Sequence, residues 1–190
     1  MMQINSTDSK ALVDWALENE SVIKYRDDIQ KEKPHSGHKG WENAGYILHL
    51  EREEIKLKWE EEYNFPYKHL VSIDNQIRKM YNLSDKLEFA PMGWILMYTE
   101  NDYVCKWHKD PNVSEGKMHT RFNVMISKPE EGGFPIIRMA DKETVIEVKE
   151  NEPWVCLAGL YEHSTTEIKG NKPRIMLSFG YNIKLDEHRG

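Results

Sequence analysis

The sequence predicts a mostly β protein: a sandwich or barrel of short antiparallel strands with helices packed on its outside. Three observations point there. Apolar residues at helical spacing fall within the first 85 residues. From about residue 86 the text becomes short runs rich in β-branched and aromatic residues, and hairpin-type turn signals separate those runs. With 190 residues, no repeat and no low-complexity tract, the chain is sized for a single domain over 1–190 that can bury a core without a structural metal.

The elements follow in order. Ser6, Thr7 and Asp8 are candidate N-caps for a first helix whose apolar face is Ala11, Leu12, Trp15 and Ala16. A second helix is expected from about Pro66 to Tyr81, with Leu70, Ile73, Ile77 and Met80 as its buried stripe. Lys31–Tyr46, dense in Gly, Pro, His and Trp, reads as a loop. The charged run 51–63, with Glu51, Glu53, Glu54, Lys56 and Lys58, reads as a solvated face. The expected strands are Lys86–Ala90, Gly93–Tyr98, Tyr103–Trp107, His119–Ser127, Phe134–Met139, Thr144–Val148, Pro153–Leu157, Tyr161–Thr165 and Arg174–Asn182. Breaks at Glu131-Gly132-Gly133, Glu150-Asn151-Glu152 and Lys169–Pro173 have hairpin chemistry. Residues 1–85 are thus mainly helical support and substrate-side loops, and 86–183 the β core.

Composition narrows the function. Lys plus Arg is 26 against 32 acids, a net charge of -6, so a globally basic nucleic-acid footprint is absent. No stretch approaches the roughly 18 apolar residues of a membrane span, and the polar start is not signal-like. Cys105 and Cys156 are too few for a disulfide framework and read as reduced, buried thiols of a cytoplasmic protein. Eight histidines are the unusual entry in the composition, and their positions matter more than their number.

Alternation within two strands is informative. In His119–Ser127 one face carries His119, Arg121, Asn123, Met125 and Ser127, and the other Thr120, Phe122, Val124 and Ile126. In Arg174–Gly180 the faces are Arg174, Met176, Ser178 and Gly180 against Ile175, Leu177 and Phe179. Each strand has one greasy face and one with an Arg among polar groups. That polar face is either a solvent-facing side or a barrel interior that holds a small anion.

His108-Lys109-Asp110 places an imidazole and a carboxylate two residues apart, on the same side of an extended segment. Alone, a His-x-Asp means little. Here His163 follows 55 residues on, Arg174 eleven later, and Ser178 four beyond on the same strand face. Two His and one carboxylate form the facial triad of non-haem Fe(II), with three positions left open. With this spacing the stretch 86–183 resembles the 2-oxoglutarate/Fe(II)-dependent dioxygenases, and within them the prolyl hydroxylases and aspartyl/asparaginyl β-hydroxylase-like enzymes. It differs from the latter in having Asp110 and from prolyl 4-hydroxylases in having Arg174 where Lys is usual.

The resemblance implies a double-stranded β-helix, a jelly-roll or cupin-like barrel, packed against the N-terminal helices. It implies Fe(II) on His108, Asp110 and His163, with 2-oxoglutarate and O2 as cosubstrates and ascorbate as reductant. Arg174 would pair with the far carboxylate of 2-oxoglutarate, and Ser178, Tyr98 and Asn123 would add to that cosubstrate site. Arg121 is either a substrate or ligand-supporting contact or a surface cation; Trp107 and His119 are placed beside it as substrate or supporting residues. His119 has no carboxylate at ligand spacing. His35 and His38, with no nearby cysteine, read as a loop over the barrel mouth rather than a zinc site, and His49, His69 and His188 carry no role.

The implied reaction is hydroxylation of an unactivated C–H bond with release of succinate and CO2. Between residues 104 and 128 the bases Lys106, Lys109, Lys117, Arg121 and Lys128 outnumber Asp110 and Glu115, which suits an amino acid, free or in a peptide. A nucleic-acid oxidative demethylase of the same superfamily is the second reading. A non-catalytic cupin-like metal- or ligand-binding barrel is the third, and it has no need of Arg174.

Overall fold

A computed structural model describes residues 2–25, 45–50, 59–112 and 114–184. The expected loop over the barrel mouth with His35 and His38, most of the charged run 51–63, and His188 lie outside these residues. Among the described residues no helix is long and apolar enough to cross a membrane.

Helix α1 (Ser6–Glu18) starts earlier than a cap at Ser6, Thr7 or Asp8 would place it, because the cap is Asn5. Its extended backbone lets the Asn5 side chain accept from the Thr7 N–H at 2.8 Å. Asp8 is thereby freed from capping and turns inward. It accepts from Ser72 Oγ at 2.8 Å and Gln76 Nε2 at 3.0 Å, and meets His69 Nδ1 at 2.7 Å. A short helix α2 (Glu20–Tyr25) follows. Helix α3 (Tyr67–Met80) buries Leu70, Ile73 and Ile77 as its spacing requires, while Met80 packs half-buried at the margin.

The strands are β1 (Gly45–His49), β2 (Glu88–Thr99), β3 (Lys117–Ser127), β4 (Pro135–Met139), β5 (Lys142–Val145), β6 (Pro153–Cys156), β7 (Glu162–Thr165) and β8 (Arg174–Lys184). They form a larger sheet, β1-β2-β8-β3-β6, and a smaller one, β5-β4-β7, all pairs antiparallel. Two such sheets with non-sequential neighbours make a jelly roll, the double-stranded β-helix.

Three differences from expectation have physical causes. The runs at 86–90 and 93–98 are one strand, β2, whose ladder with β8 slips between Phe89 and Trp94, where Pro91 has no N–H to contribute. Tyr103–Trp107 forms no ladder. It runs extended along the edge of β7, held by the single bridge between His108 and His163 and by Ile168 N–H donating to Tyr103 O at 3.1 Å. And β1, a short apolar run between two polar stretches, pairs on the free edge of β2 with Gly45 opposite Thr99.

The greasy faces of β3 and β8 pack against the helices. Phe122, Val124, Ile126, Ile175, Leu177 and Phe179 share one core with Leu12, Trp15, Leu70, Ile73 and Ile77. The opposite faces, with Arg121, Asn123, Arg174 and Ser178, are buried too and line a cavity between the sheets. The polar faces therefore form a barrel interior and not a solvent-facing side.

A buried polar link fastens α3 to the larger sheet. Tyr181 Oη donates to Asp74 Oδ1 at 2.6 Å, Arg78 Nε donates to Asp74 Oδ2 at 2.6 Å, and Trp94 Nε1 donates to Tyr181 Oη at 2.8 Å. Tyr181→Phe leaves Asp74 Oδ1 and Trp94 Nε1 without these partners. It should lower stability by about 1–3 kcal/mol, read as a reduced urea midpoint with unchanged slope.

Candidate active site

His108 and Asp110 reach the cavity from the segment between β2 and β3. The His108 N–H donates to His163 O at 3.2 Å, the His163 N–H to His108 O at 2.9 Å, and the Asp110 N–H to Ala158 O at 2.9 Å. This bridge sets the two imidazoles side by side, with ring centroids 4.2 Å apart. His108 Nδ1 lies 2.7 Å from Lys106 O and His163 Nδ1 3.2 Å from Tyr161 O. A carbonyl only accepts, so each Nδ1 carries a proton, and in the neutral imidazole the lone pair is on Nε2. One ligand atom from each of His108, Asp110 and His163 lies within 4.8 Å of the others, and His108 Nε2 is 3.7 Å from Asp110 Oδ1.

Asp110 is only 7% exposed, and Arg121 Nε donates to its Oδ2 at 2.8 Å. Burial opposes the charge. The Arg121 and His119 charges and the hydrogen bond from Arg121 outweigh it and hold the Asp110 carboxyl down at about 2. Arg121 spends its other donors on Ser178 Oγ at 3.3 Å and Pro91 O at 2.8 Å. Buried at 5% exposure and bonded to the protein's own acceptors, it is not a surface cation. His119 does have a carboxylate neighbour: its Nε2 lies 3.4 Å from Asp110 Oδ2, without a hydrogen bond, and its Nδ1 faces Pro111 O at 3.1 Å. The turn at Pro111 brings these two residues together across nine positions. Burial first, then the Arg121 charge, push His119 down to about 4.

At the other end of the cavity stands Arg174, 2% exposed. Its Nη2 touches Met176 Sδ at 3.1 Å, and its Nε has no partner. Burial pulls its pKa down to about 10, against the influence of Cys105 and Tyr103. The Gly132-Gly133 pair makes room for it. A Cβ on Gly133 would sit 2.9 Å from Arg174 Cδ, and one on Gly132, at φ +74°, would sit 1.7 Å from Glu167 O. Ser178 and Asn123 lie opposite each other in the ladder of β3 and β8 and both line the cavity.

Tyr98 does not reach the cavity. It is 1% exposed on the opposite face of β2, where its ring meets Tyr46 at 6.5 Å and Lys24 Nζ at 5.8 Å. Strand parity is the reason: Thr99, directly opposite Arg174, faces in, so its neighbour faces out. The tyrosine that lines the cavity is Tyr103, whose ring occupies the place a side chain on Gly45 would take, 2.4 Å from a Cβ there. Alternation along the sequence does not pick it out, because Tyr103 and Cys105 share their parity with Trp107, which is not in the cavity lining. Trp107 is also outside, with the Arg138 guanidinium 4.0 Å over its ring; Arg138 in turn pairs with Glu143 and Glu162. Ile95, Met97, Ile137, Trp154 and Met176 make the cavity's walls largely apolar.

No family model matches the chain. No curated protein matches it in sequence. Solved structures do share its fold. A collagen prolyl hydroxylase from Paramecium bursaria Chlorella virus-1, in complex with 2-oxoglutarate, is 12% identical with a TM-score of 0.57, over 95% of this chain and 92% of that one. A prolyl hydroxylase from Trichoplax adhaerens, bound to a peptide of hypoxia inducible factor, is 11% identical with a TM-score of 0.56, over 95% and 80%. ThoJ, a non-heme monooxygenase in complex with nickel, is 12% identical with a TM-score of 0.51, over 95% and 71%. At this identity the likeness establishes the double-stranded β-helix with its flanking helices.

In the metal-free protein the depressed Asp110 pKa makes a stability contribution that is present above its ordinary value of 3.8 and lost as pH falls toward about 2. The contribution is on the order of 2 kcal/mol. The stability gap between wild type and Asp110→Asn, followed by urea unfolding, should be largest at neutral pH and close between pH 4 and 2.

Proposed function

We propose that the chain is a 2-oxoglutarate- and Fe(II)-dependent dioxygenase that hydroxylates an unactivated C–H bond of an amino acid, free or within a peptide. One observation carries the reading: a guanidinium almost wholly withdrawn from water, with an unpartnered Nε, lines the same cavity as His108, Asp110 and His163. Burying such a donor without an acceptor is costly, and a carboxylate in the cavity would relieve it.

The donor set fits the metal. Two imidazole nitrogens and one carboxylate oxygen suit a divalent first-row ion and leave open positions for small ligands. Fe(II) would be held by His108, Asp110 and His163, and Arg174 would hold the far carboxylate of 2-oxoglutarate. When bound, this pair supplies the oxidising chemistry, in which O2 and 2-oxoglutarate yield succinate, CO2 and one oxygen atom for the substrate. The rest is work for the chain's own residues. The carbonyls of Lys106 and Tyr161 hold the imidazoles as the tautomer that offers Nε2. Arg121 keeps Asp110 ionised where burial would protonate it. Tyr103 and Thr99 flank Arg174 with neutral hydroxyls, and Ser178 and Asn123 line the wall between it and Asp110. Ile95, Met97 and Met176 keep water from the reacting end. In this reading residues 1–85 are support and substrate-side elements, and 86–183 are the catalytic core.

Arg121 is occupied, Lys117 pairs with Glu88, and Lys128 lies 4.8 Å over the Phe134 ring. Of the bases expected to form a positive edge over residues 104–128, Lys106 and Lys109 are exposed beside His108. Two structural neighbours are prolyl hydroxylases, one with a peptide bound, and this favours an amino-acid or peptide substrate.

With Fe(II) and ascorbate as reductant, the protein should form succinate from 2-oxoglutarate, faster with its substrate present. A panel of free amino acids, peptides and methylated oligonucleotides identifies that substrate class. Arg174→Ala should weaken 2-oxoglutarate binding at least about tenfold, and Asp110→Ala should abolish turnover. Unchanged 2-oxoglutarate binding in Arg174→Ala, or full turnover in Asp110→Ala, would refute the assignment.

A further inference from the structure

Arg121 is held with more care than neutralising a carboxylate requires. The slip in β2 between Phe89 and Trp94 puts Met92 at φ +65° and Gly93 at φ +27°. There the carbonyls of Pro91 and Gly93 meet the guanidinium, at 2.8 Å from Nη2 and 3.5 Å from Nη1. Ser178 Oγ approaches Nη1 from β8 at 3.3 Å. Directly opposite Arg121 in the ladder stands Gly180, where a Cβ would lie 3.1 Å from Nη1 and 3.3 Å from Cζ. The absence of a side chain there lets the planar group lie flat over β8. With its far end fastened on two strands, the Nε–H aims at Asp110 Oδ2 at 2.8 Å. Arg121 and Asp110 are 5% and 7% exposed, so water does not substitute for either.

The consequence concerns which carboxylate oxygen is available. A carboxylate can give a metal one oxygen or both. With Oδ2 committed to Arg121, the oxygen left is Oδ1, the one that faces His108 Nε2 at 3.7 Å. We propose that Arg121 is a positioning residue for the metal centre: by holding Asp110 Oδ2 it makes Asp110 a one-oxygen ligand and so keeps the coordination positions opposite the triad open. The role needs a planar group with several donors in fixed directions, which Arg has and Lys lacks. This proposal rests on the reading that His108, Asp110 and His163 hold a divalent ion.

Co(II) in place of Fe(II) tests it on the full chain without turnover, since its visible d–d bands report coordination number and geometry. Wild type, Arg121→Gln, Arg121→Lys, Gly180→Ala and Asp110→Ala are titrated with Co(II), with far-UV circular dichroism as the check on folding. Wild type should bind one Co(II), and Asp110→Ala should lose it. Arg121→Gln should bind about 10–100-fold more weakly with changed d–d bands, and Arg121→Lys should recover part of the affinity but not the wild-type spectrum. Gly180→Ala keeps the arginine but displaces its guanidinium by a few tenths of an ångström, and should shift the bands in the same direction with a smaller loss. Wild-type affinity and spectrum in Arg121→Gln and Gly180→Ala, with binding lost in Asp110→Ala, would overturn the proposal and leave the metal reading standing. Should Arg121→Gln not fold, wild-type spectra in Gly180→Ala and Arg121→Lys overturn it equally. No Co(II) binding by wild type, or full binding by Asp110→Ala, brings down the metal reading and the proposal with it.

Discussion

In the middle of the larger sheet β3 and β8 pair antiparallel along nearly their whole length, from Lys117 opposite Lys184 to Asn123 opposite Ser178 and beyond. Side chains alternate across a strand, so this register sends Phe122, Val124, Leu177 and Phe179 toward the helices. It sends Arg121, Asn123, Arg174 and Ser178 into the space between the sheets. A slip of one residue in either strand would drive its guanidinium, Arg121 or Arg174, into the apolar layer against α1 and α3 and turn its phenylalanine toward the cavity. Both errors are costly, and they specify the register from both sides at once. The helices and the cavity are therefore not independent features. The same two strands make both.

The smaller sheet completes the site with fewer constraints. Only one bridge, between His108 and His163, brings the two imidazoles together, and the neighbouring carbonyls of Lys106 and Tyr161 choose their tautomers. The segment carrying His108 and Asp110 is free of a regular ladder, so it can turn Trp107 outward and still present both ligand-type side chains inward. Charge in the interior is handled in two contrasting ways. Arg121 is matched by protein acceptors, as a buried guanidinium ordinarily must be. Arg174 is not matched at its Nε, and that asymmetry sets the two buried guanidinium groups apart.

The misread residues share a cause. Tyr98 was expected in the cosubstrate site from its distance to His108, but distance along the chain carries no parity. Thr99 opposite Arg174 settles the face, and Tyr103 takes the place beside it. Arg121 was expected at the site and is there, yet its partner, Asp110, is eleven residues away across a turn, and its acceptors on β2 depend on a slip in the ladder. His119 seemed to lack a carboxylate for the same reason. Asn5 capped α1 in place of Ser6, Thr7 or Asp8 because Asp8 found better partners on α3. Propensity names the candidates for such positions, and tertiary contacts choose among them.

By itself the sequence determined the helices α1 and α3, the strand-rich text after residue 86, the alternating faces of β3 and β8, and the spacing of His108, Asp110, His163 and Arg174. These are local or additive properties: periodicity, turn chemistry and residue type along one strand. The tertiary structure alone decided which of two alternating faces points inward, which tyrosine reaches the cavity, and which oxygen of Asp110 is already taken. Parity within a strand has no absolute sense until a neighbouring strand sets its register, and a single slip such as that at Pro91 resets it. The partners of a buried charge are likewise contributed by strands far apart in the chain.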